Sequence, residues 1–192
     1  MVGMKSLLSL SLLLCAEAPS EVSESRAGTI SPLPISVDSP FHPAALRQQF
    51  AKASNDKAAA EKLYKLLADY HGKDAVVMAY KGAAEAIRAR DASMFDKLSF
   101  IQQANRSFDQ AVQLAPENAE VRFLRFSVES NLPSFLGMSK HVEEDKALLL
   151  RAALEHPASG LDAEAFNFVR RYLVERGHVS EAEAQQLNKV AG

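Results

Sequence analysis

Two histidine–carboxylate pairs have a spacing that could place both side chains on one face of a helix. His141 and Glu144 lie three positions apart, as do Glu175 and His178. Imidazole and carboxylate groups arranged in this way bind zinc or paired iron ions. A di-iron bundle needs two Glu-x-x-His units, and Gly177 interrupts the helix that would carry the one unit with that order. The sequence therefore predicts no metal site and no cofactor, and the acids beside His141 suit a helix start instead.

The residues needed for nucleophilic catalysis do not occur in a recognisable pattern. No serine lies in a Gly-x-Ser-x-Gly context, and no glycine-rich phosphate loop is present. The single cysteine, Cys15, belongs to an apolar N-terminal run and has no partner for a disulfide or a CxxC motif. We therefore expect no catalytic residues and a function other than that of an enzyme.

Two arginines are the most informative polar residues. Arg122 and Arg125 alternate with apolar residues in the stretch Glu-Val-Arg-Phe-Leu-Arg-Phe. A planar guanidinium beside apolar surface commonly pairs with a carboxylate. One interpretation is an ion-pair network with Asp145 or Glu120 that locks the fifth and sixth helices together. The other is a groove in which both arginines bind the carboxylate of a partner.

A loop with an unusual number of apolar residues is the second candidate binding element. It covers residues 131–138 and contains Leu132, Phe135, Leu136 and Met138. If the loop exposes Phe135 and Leu136, they would form a hot spot for a partner. The alternative is that both side chains fold back and close the end of a helix hairpin.

The elements that position these residues are predicted to be helices. From residue 44 onward apolar residues recur at spacings of three and four, as in the stripe Leu63, Leu66, Leu67 and Tyr70. Residues that cap or stop helices mark the ends: Asn55 or Asp56, Gly72, Asp74, Ser139, Asp162, Gly177 and the Ser180–Glu183 capping box. A break is expected at 91–96, after which the fourth helix turns Leu98 inward. We predict an all-α fold of about seven to eight helices in antiparallel α–α hairpins.

One segment resembles the second half of a tetratricopeptide (TPR) repeat. Ala104, Phe108, Ala111 and Pro116 stand at the offsets where that family keeps a small residue, an aromatic, a small residue and a proline. Small residues let helix pairs nest, and the aromatic fills the space between repeats. The resemblance implies a TPR-like right-handed arrangement with one and a half to three degenerate repeats. It also implies a groove that binds a peptide or a protein.

The charge balance bears on the class of partner. The chain has 22 basic and 24 acidic residues, a net charge of −2, which argues against a nucleic-acid-binding protein. Residues 44–90 carry nine basic and five acidic residues, a net of +4. This excess either solvates the outer faces of the early helices or marks a shallow basic groove for an anionic partner.

The N-terminus has the pattern of an export signal. Lys5 precedes the leucine-rich run Ser6–Cys15, and Ala16-Glu-Ala18 is a small-x-small cleavage pattern. The run is too short to span a bilayer. Two alternatives stay open: lipidation of Cys15, for which Leu14 is an unusual preceding residue, and a retained helix.

The predicted organisation is therefore a signal peptide at 1–18, a flexible Ser/Pro-rich lead-in at 19–43 and a TPR-like helical domain at 44–192. The expected location is periplasmic or secreted. The expected function is an exported interaction or scaffold module that binds a peptide or protein partner through Arg122, Arg125, Phe135 and Leu136. The alternative is an envelope-tethered structural or membrane-surface protein, which would contact the membrane through an N-terminal anchor.

Overall fold

The structure, a computed structural model, describes residues 35–36 and 38–191. Over these residues the chain is all-helical, with eight α-helices and no strand, as the sequence predicts. The helices are α1 (Pro43–Ala53), α2 (Lys57–Ala68), α3 (Ala75–Asp91), α4 (Met94–Leu114), α5 (Ala119–Glu129), α6 (Val142–Leu154), α7 (Ala163–Glu175) and α8 (Glu181–Val190), with a 3₁₀ turn at Ser134–Leu136 between α5 and α6. The predicted signal peptide and most of the predicted lead-in lie outside the described residues.

Side-chain caps explain where most helices begin. Asp56, Asp74 and Asp162 each accept hydrogen bonds from backbone amides in the first turn of α2, α3 and α7. Ser180 and Glu183 form a complete capping box at α8. These side chains satisfy amides that have no partner within the helix.

The end of α7 shows the predicted glycine stop. Gly177 has a φ of +69°, which glycine adopts without steric cost. The amide of Gly177 donates to the carbonyl of Val174, and that of His178 to the carbonyl of Leu173. This is the Schellman pattern, and it turns the His178 ring back onto the helix that has just ended.

Three predicted boundaries are wrong. Helix α2 ends at Ala68 with Asp69 as its C-cap, so Gly72 is not the residue that stops it. Helix α4 begins at Met94, inside the expected break at 91–96, because the Ser93 hydroxyl caps the Asp96 amide. Ser139 does not cap α6, because its hydroxyl donates to the carbonyl of Glu129. The Glu129 carboxylate instead accepts the His141 amide at 2.8 Å, so the end of α5 caps the start of α6.

Successive helices pack against each other along the chain, and α3 is the central one. It contacts α1, α2, α4 and α5. The connections are short except for the one between α5 and α6, which covers residues 130–141, and helices joined by short connections run in roughly opposite directions. Helices α3 and α4 approach closely at Gly82, where a Cβ would lie only 3.0 Å from the carbonyl oxygen of Ala104. Contacts also join α1 to α3, α3 to α5 and α6 to α8, but the TPR-like handedness stays a prediction.

An ion-pair cluster joins α1 to α5 and α7. The Arg47 guanidinium donates to both carboxylate oxygens of Glu120 and also pairs with Asp162 and Glu164. The hydroxyl of buried Tyr80 donates to Glu120 at 2.8 Å. Burial and the negative charge of Glu120 raise the pKa of Tyr80. The hydrogen bonds that Arg47 donates to Glu120 raise the pKa of Arg47. Tyr80 therefore stays neutral and Arg47 stays charged.

The described end of the lead-in lies on the helical domain. Ile35 and Phe41 pack against the core, and the Phe41 ring lies 5.1 Å from that of Tyr70. Turns at residues 38–42 then lead into α1. None of the described helices combines the length and the hydrophobicity needed to cross a bilayer.

Candidate functional site

An open groove of about 1210 Å³ lies within the described part of the chain. Its walls come from the end of α1, from α3 and the start of α4, from α5 and the loop after it, and from α7. Four large apolar side chains that remain exposed line it: Leu98, Phe135, Leu136 and Phe168. Apolar side chains are thus concentrated in one concave surface.

Aromatic packing fixes the side of the groove between α5 and α7. Phe123 lies edge-on to Phe168 and to Tyr172, with ring centroids 5.2 Å apart in both pairs. The Tyr172 hydroxyl accepts a hydrogen bond from the Asn131 amide at 2.8 Å and donates to the Ser127 carbonyl at 3.3 Å. The aromatic surface is therefore held in place by polar contacts behind it.

The opposite wall is formed by small and aliphatic residues. Ala83, Ala86 and Ile87 come from α3, and Leu98 and Ile101 come from α4. The prediction that Leu98 points inward is wrong, because its side chain is 51% exposed. Residues 95–99, in the first turns of α4, are all exposed, and Leu98 lines the groove instead of the core.

The 131–138 loop exposes its apolar residues, as one of the two interpretations requires. Phe135 is 85% exposed and Leu136 is 39% exposed, and both line the groove. Neither closes the end of a helix hairpin. Their role in binding a partner stays a prediction.

The charged residues of the groove are mostly basic. Arg90, Lys97, Arg171 and Arg176 line it, and Glu175 is the only acid among the lining residues. Arg171 pairs with Glu175 across one helical turn. Among the described residues, neither Lys97 nor Arg176 forms an ion pair. The Arg176 guanidinium lies 5.9 Å from the centre of the Tyr172 ring.

Most of the predicted basic excess lies elsewhere. Of the nine basic residues in 44–90, only Arg90 lines the groove. It pairs with Asp91 and donates to the Ser54 carbonyl at 2.6 Å. The cationic character of the groove therefore comes mainly from α4 and α7.

The two predicted arginines lie in the interior. Arg122 and Arg125 are buried, and both donate to the completely buried carboxylate of Asp145 at 2.7 to 2.8 Å. Arg122 also donates to Glu144, whose pKa this contact lowers. Neither arginine lines the groove, so the geometry favours the ion-pair interpretation. The expected alternative partner, Glu120, is bound to Arg47.

The histidine–carboxylate pairs are separated by other contacts. The His141 ring lies 2.8 Å from a Glu129 carboxylate oxygen, and Glu144 faces Arg122. The His178 ring stacks on Tyr172. No cluster of three or more metal-ligating side chains occurs within residues 35–36 and 38–191.

A second cavity of about 200 Å³ is polar and lies between α2, α3 and α4. Tyr64, Lys81, Glu85 and Gln103 contribute to its lining. Burial raises the pKa of Glu85, although a 2.7 Å hydrogen bond from Ser107 opposes this effect. The cavity is smaller than the roughly 300 Å³ at which small-molecule sites begin.

Comparison with protein-family models, with curated proteins and with solved structures found no match to this chain. The residues that line the groove determine the chemistry of this surface. It offers apolar burial over most of its surface and cationic contacts at its edges. Phe168 was not predicted from the sequence. The feature that could have indicated it is an aromatic residue placed outside the apolar stripe that α7 turns to the core.

Proposed function

We propose that this chain is a non-catalytic interaction module whose groove binds a helical segment of a protein partner. The observation that carries the proposal is the convergence of Leu98, Phe135, Leu136 and Phe168 in one cavity. Removing such side chains from water contributes about 25 cal/mol for each Å² of apolar surface. Clustered, exposed aromatic residues are typical of binding hot spots.

A helix suits the groove better than an extended peptide. The described chain has no sheet edge to which a strand could be added, whereas helix-in-groove binding needs only apolar anchors in a concave surface. A helix about 10 Å in diameter and 15 Å long, or roughly ten residues, occupies a volume similar to that of the groove. Three turns present three or four anchor side chains along one face.

The proposed setting is the periplasm or the outside of the cell. Its support is the export pattern at residues 1–18, which lies outside the described residues. The absence of a recognised catalytic motif in the sequence supports a binding role. The TPR resemblance of residues 104–116 supports the same role, since that family binds peptides in helical grooves.

The test uses labelled amphipathic helical peptides of 10 to 14 residues with leucine at three- and four-residue spacing, titrated by fluorescence anisotropy. Phe135→Ser should weaken binding roughly ten- to a hundredfold, since a buried aromatic anchor contributes about 1.5–3 kcal/mol. Leu114→Ser is the matched control, because Leu114 is also exposed but lies outside the groove. If Phe135→Ser and Leu114→Ser behave alike, or no peptide binds, the proposal is wrong.

A second candidate function is a membrane-surface protein, which we propose on a different observation. Phe95 is 94% exposed and does not line the groove, and Phe135 is the next most exposed large apolar residue. Aromatic side chains that protrude in this way can insert at a bilayer interface. Flotation with anionic vesicles should then be lost in Phe95→Ser. Cys15→Ser separately tests a lipid anchor. If both variants divide between the soluble and the vesicle-bound fraction as the native chain does, this candidate function is wrong.

A further inference from the structure

We infer that the segment bound in the groove is an acidic amphipathic helix, with leucine-like residues facing the groove and aspartate or glutamate along both edges. The inference rests on the proposed function and specifies the chemistry of the partner. It needs two properties of the groove together, an apolar interior and cations at its margins.

Charge complementarity is the first support. The lining holds four cationic side chains and one carboxylate, although the whole chain has a net charge of −2. The groove is therefore a local basic surface on a mildly acidic protein. Partners of opposite potential associate faster and dock in a defined register.

The position of the cations is the second support. Lys97 lies in the first turn of α4, and Arg176 directly follows α7, so the two lie on different walls. Both line the groove together with apolar residues: Lys97 precedes exposed Leu98, and the Arg176 guanidinium lies over the Tyr172 ring. A ligand that fills the apolar interior would bring its own polar edges to both cations. Acidic residues on both edges of the ligand helix would pair with them.

The wall formed by α3 is the third support. Ala86 is partly exposed and lines the groove, and Ala83, one turn earlier in the same lining, is completely buried. Small side chains allow a second helix to approach closely, as in other helix–helix contacts. The volume of the groove also exceeds the upper limit of about 1,000 Å³ for small-molecule sites, and a planar bilayer cannot fill a concave surface. These features favour a peptide helix over a fatty acid or a membrane.

The test uses three versions of one labelled leucine-stripe peptide, with glutamate, glutamine or lysine at the edge positions. The glutamate peptide should bind roughly three- to tenfold more tightly than the glutamine peptide, from two exposed ion pairs. Its advantage should shrink at 0.5 M salt, because exposed pairs are screened. A Lys97→Glu/Arg176→Glu double variant should reverse the order and prefer the lysine peptide. Lys62→Glu, an exposed position on α2 outside the groove, should leave the order unchanged.

The outcomes separate this inference from the proposed function. Equal binding of the three peptides, with loss in Phe135→Ser, would overturn the acidic partner and keep the helix-binding groove. No binding of any peptide would overturn both. Binding of a fatty acid or of anionic vesicles, without binding of any peptide, would assign the groove to another occupant and overturn the inference. The same conclusion would follow if the chain formed a dimer that slows hydrogen exchange of the backbone amides around Phe135.

Discussion

Arg47 and Glu120, 73 positions apart in the chain, form a two-point ion pair with Nε–Oε1 and Nη2–Oε2 distances of 2.8 and 2.7 Å. Both side chains are nearly buried. The pair connects the first helix to α5, and the same guanidinium reaches Asp162 at the start of α7. One side chain near the beginning of the domain therefore links three helices, all of which contribute to the walls of the groove.

Replacing Arg47 with methionine should destabilise the domain by about 2 kcal/mol. Exposed ion pairs contribute up to about 1 kcal/mol to the free energy of unfolding, and breaking a buried pair costs roughly 3–5 kcal/mol. The nearly buried Arg47 pair should lie between these values. The measurement is the free energy of unfolding in urea. Lys65→Met removes an exposed pair with Glu61 and should cost less than about 0.5 kcal/mol. Equal losses in the two variants would contradict the structural role of Arg47.

Asp145→Asn should be among the most damaging substitutions. It would leave the guanidinium groups of Arg122 and Arg125 buried without a counter-charge, at a cost of about 3–5 kcal/mol. Glu144→Gln is the matched control, because Glu144 also pairs with Arg122 but is largely exposed. Its cost should stay below about 1 kcal/mol. If Arg122 and Arg125 served a partner, Asp145→Asn would change binding with little change in unfolding.

The stability of the domain should depend on His178 at mildly acidic pH. Burial, and then the charges of Lys146 and Arg176, lower the pKa of His178 below its ordinary value of 6.5. The unfolded chain therefore takes up the proton first as the pH falls, so the free energy of unfolding decreases below about pH 6.5. His178→Phe keeps a ring stacked on Tyr172 and removes the titration.

The measurement is the difference in unfolding free energy between pH 7.5 and pH 5.5 for the two proteins. The variant should lose less stability than the native chain over this interval. Replacing exposed His71 with glutamine serves as the control and should leave the native pH dependence in place. Identical pH profiles for His178→Phe and the native chain would contradict the prediction.

Gly82→Ala should destabilise the domain although alanine favours helices. Helix propensity alone predicts a gain of about 1 kcal/mol. The new Cβ would lie 3.0 Å from the Ala104 carbonyl oxygen and 3.1 Å from the Phe108 ring, so α3 and α4 would have to separate. Overpacking costs typically about 1–3 kcal/mol, and Gly82→Val should cost more than Gly82→Ala. A thermal melt that shows Gly82→Ala to be more stable would contradict this packing.

The helical framework could be predicted because its signals are local. Asp56, Asp74 and Asp162 cap the helices they precede in sequence, and the Ser180–Glu183 box lies within four residues. The start of α6 could not be found in this way. Its cap is the carboxylate of Glu129, which lies 12 residues before His141 in the chain. The Ser139 hydroxyl donates to the Glu129 carbonyl and does not cap the helix.

The candidate site was harder to predict because it depends on how distant helices meet. Phe135 and Leu136 could be singled out, since an apolar loop is unusual in any context. Lys97 and Phe168 could not be singled out in this way. A lysine, or a phenylalanine outside the apolar stripe of a helix, indicates a binding site only when a second helix lies opposite and forms a groove with it. Arg122 and Arg125 were correctly recognised as unusual, but only the position of Asp145 shows which partner they have.

The groove takes its walls from residues between Phe50 and Arg176, almost the full length of the helical domain. A ligand would therefore bind the folded chain and not the unfolded one, and occupancy would be thermodynamically linked to folding. At a hundredfold excess over Kd this linkage adds about 2.7 kcal/mol of stability, or roughly 5–10 °C in Tm. A melting-temperature screen of compounds and peptides can thus search for the ligand without an activity assay.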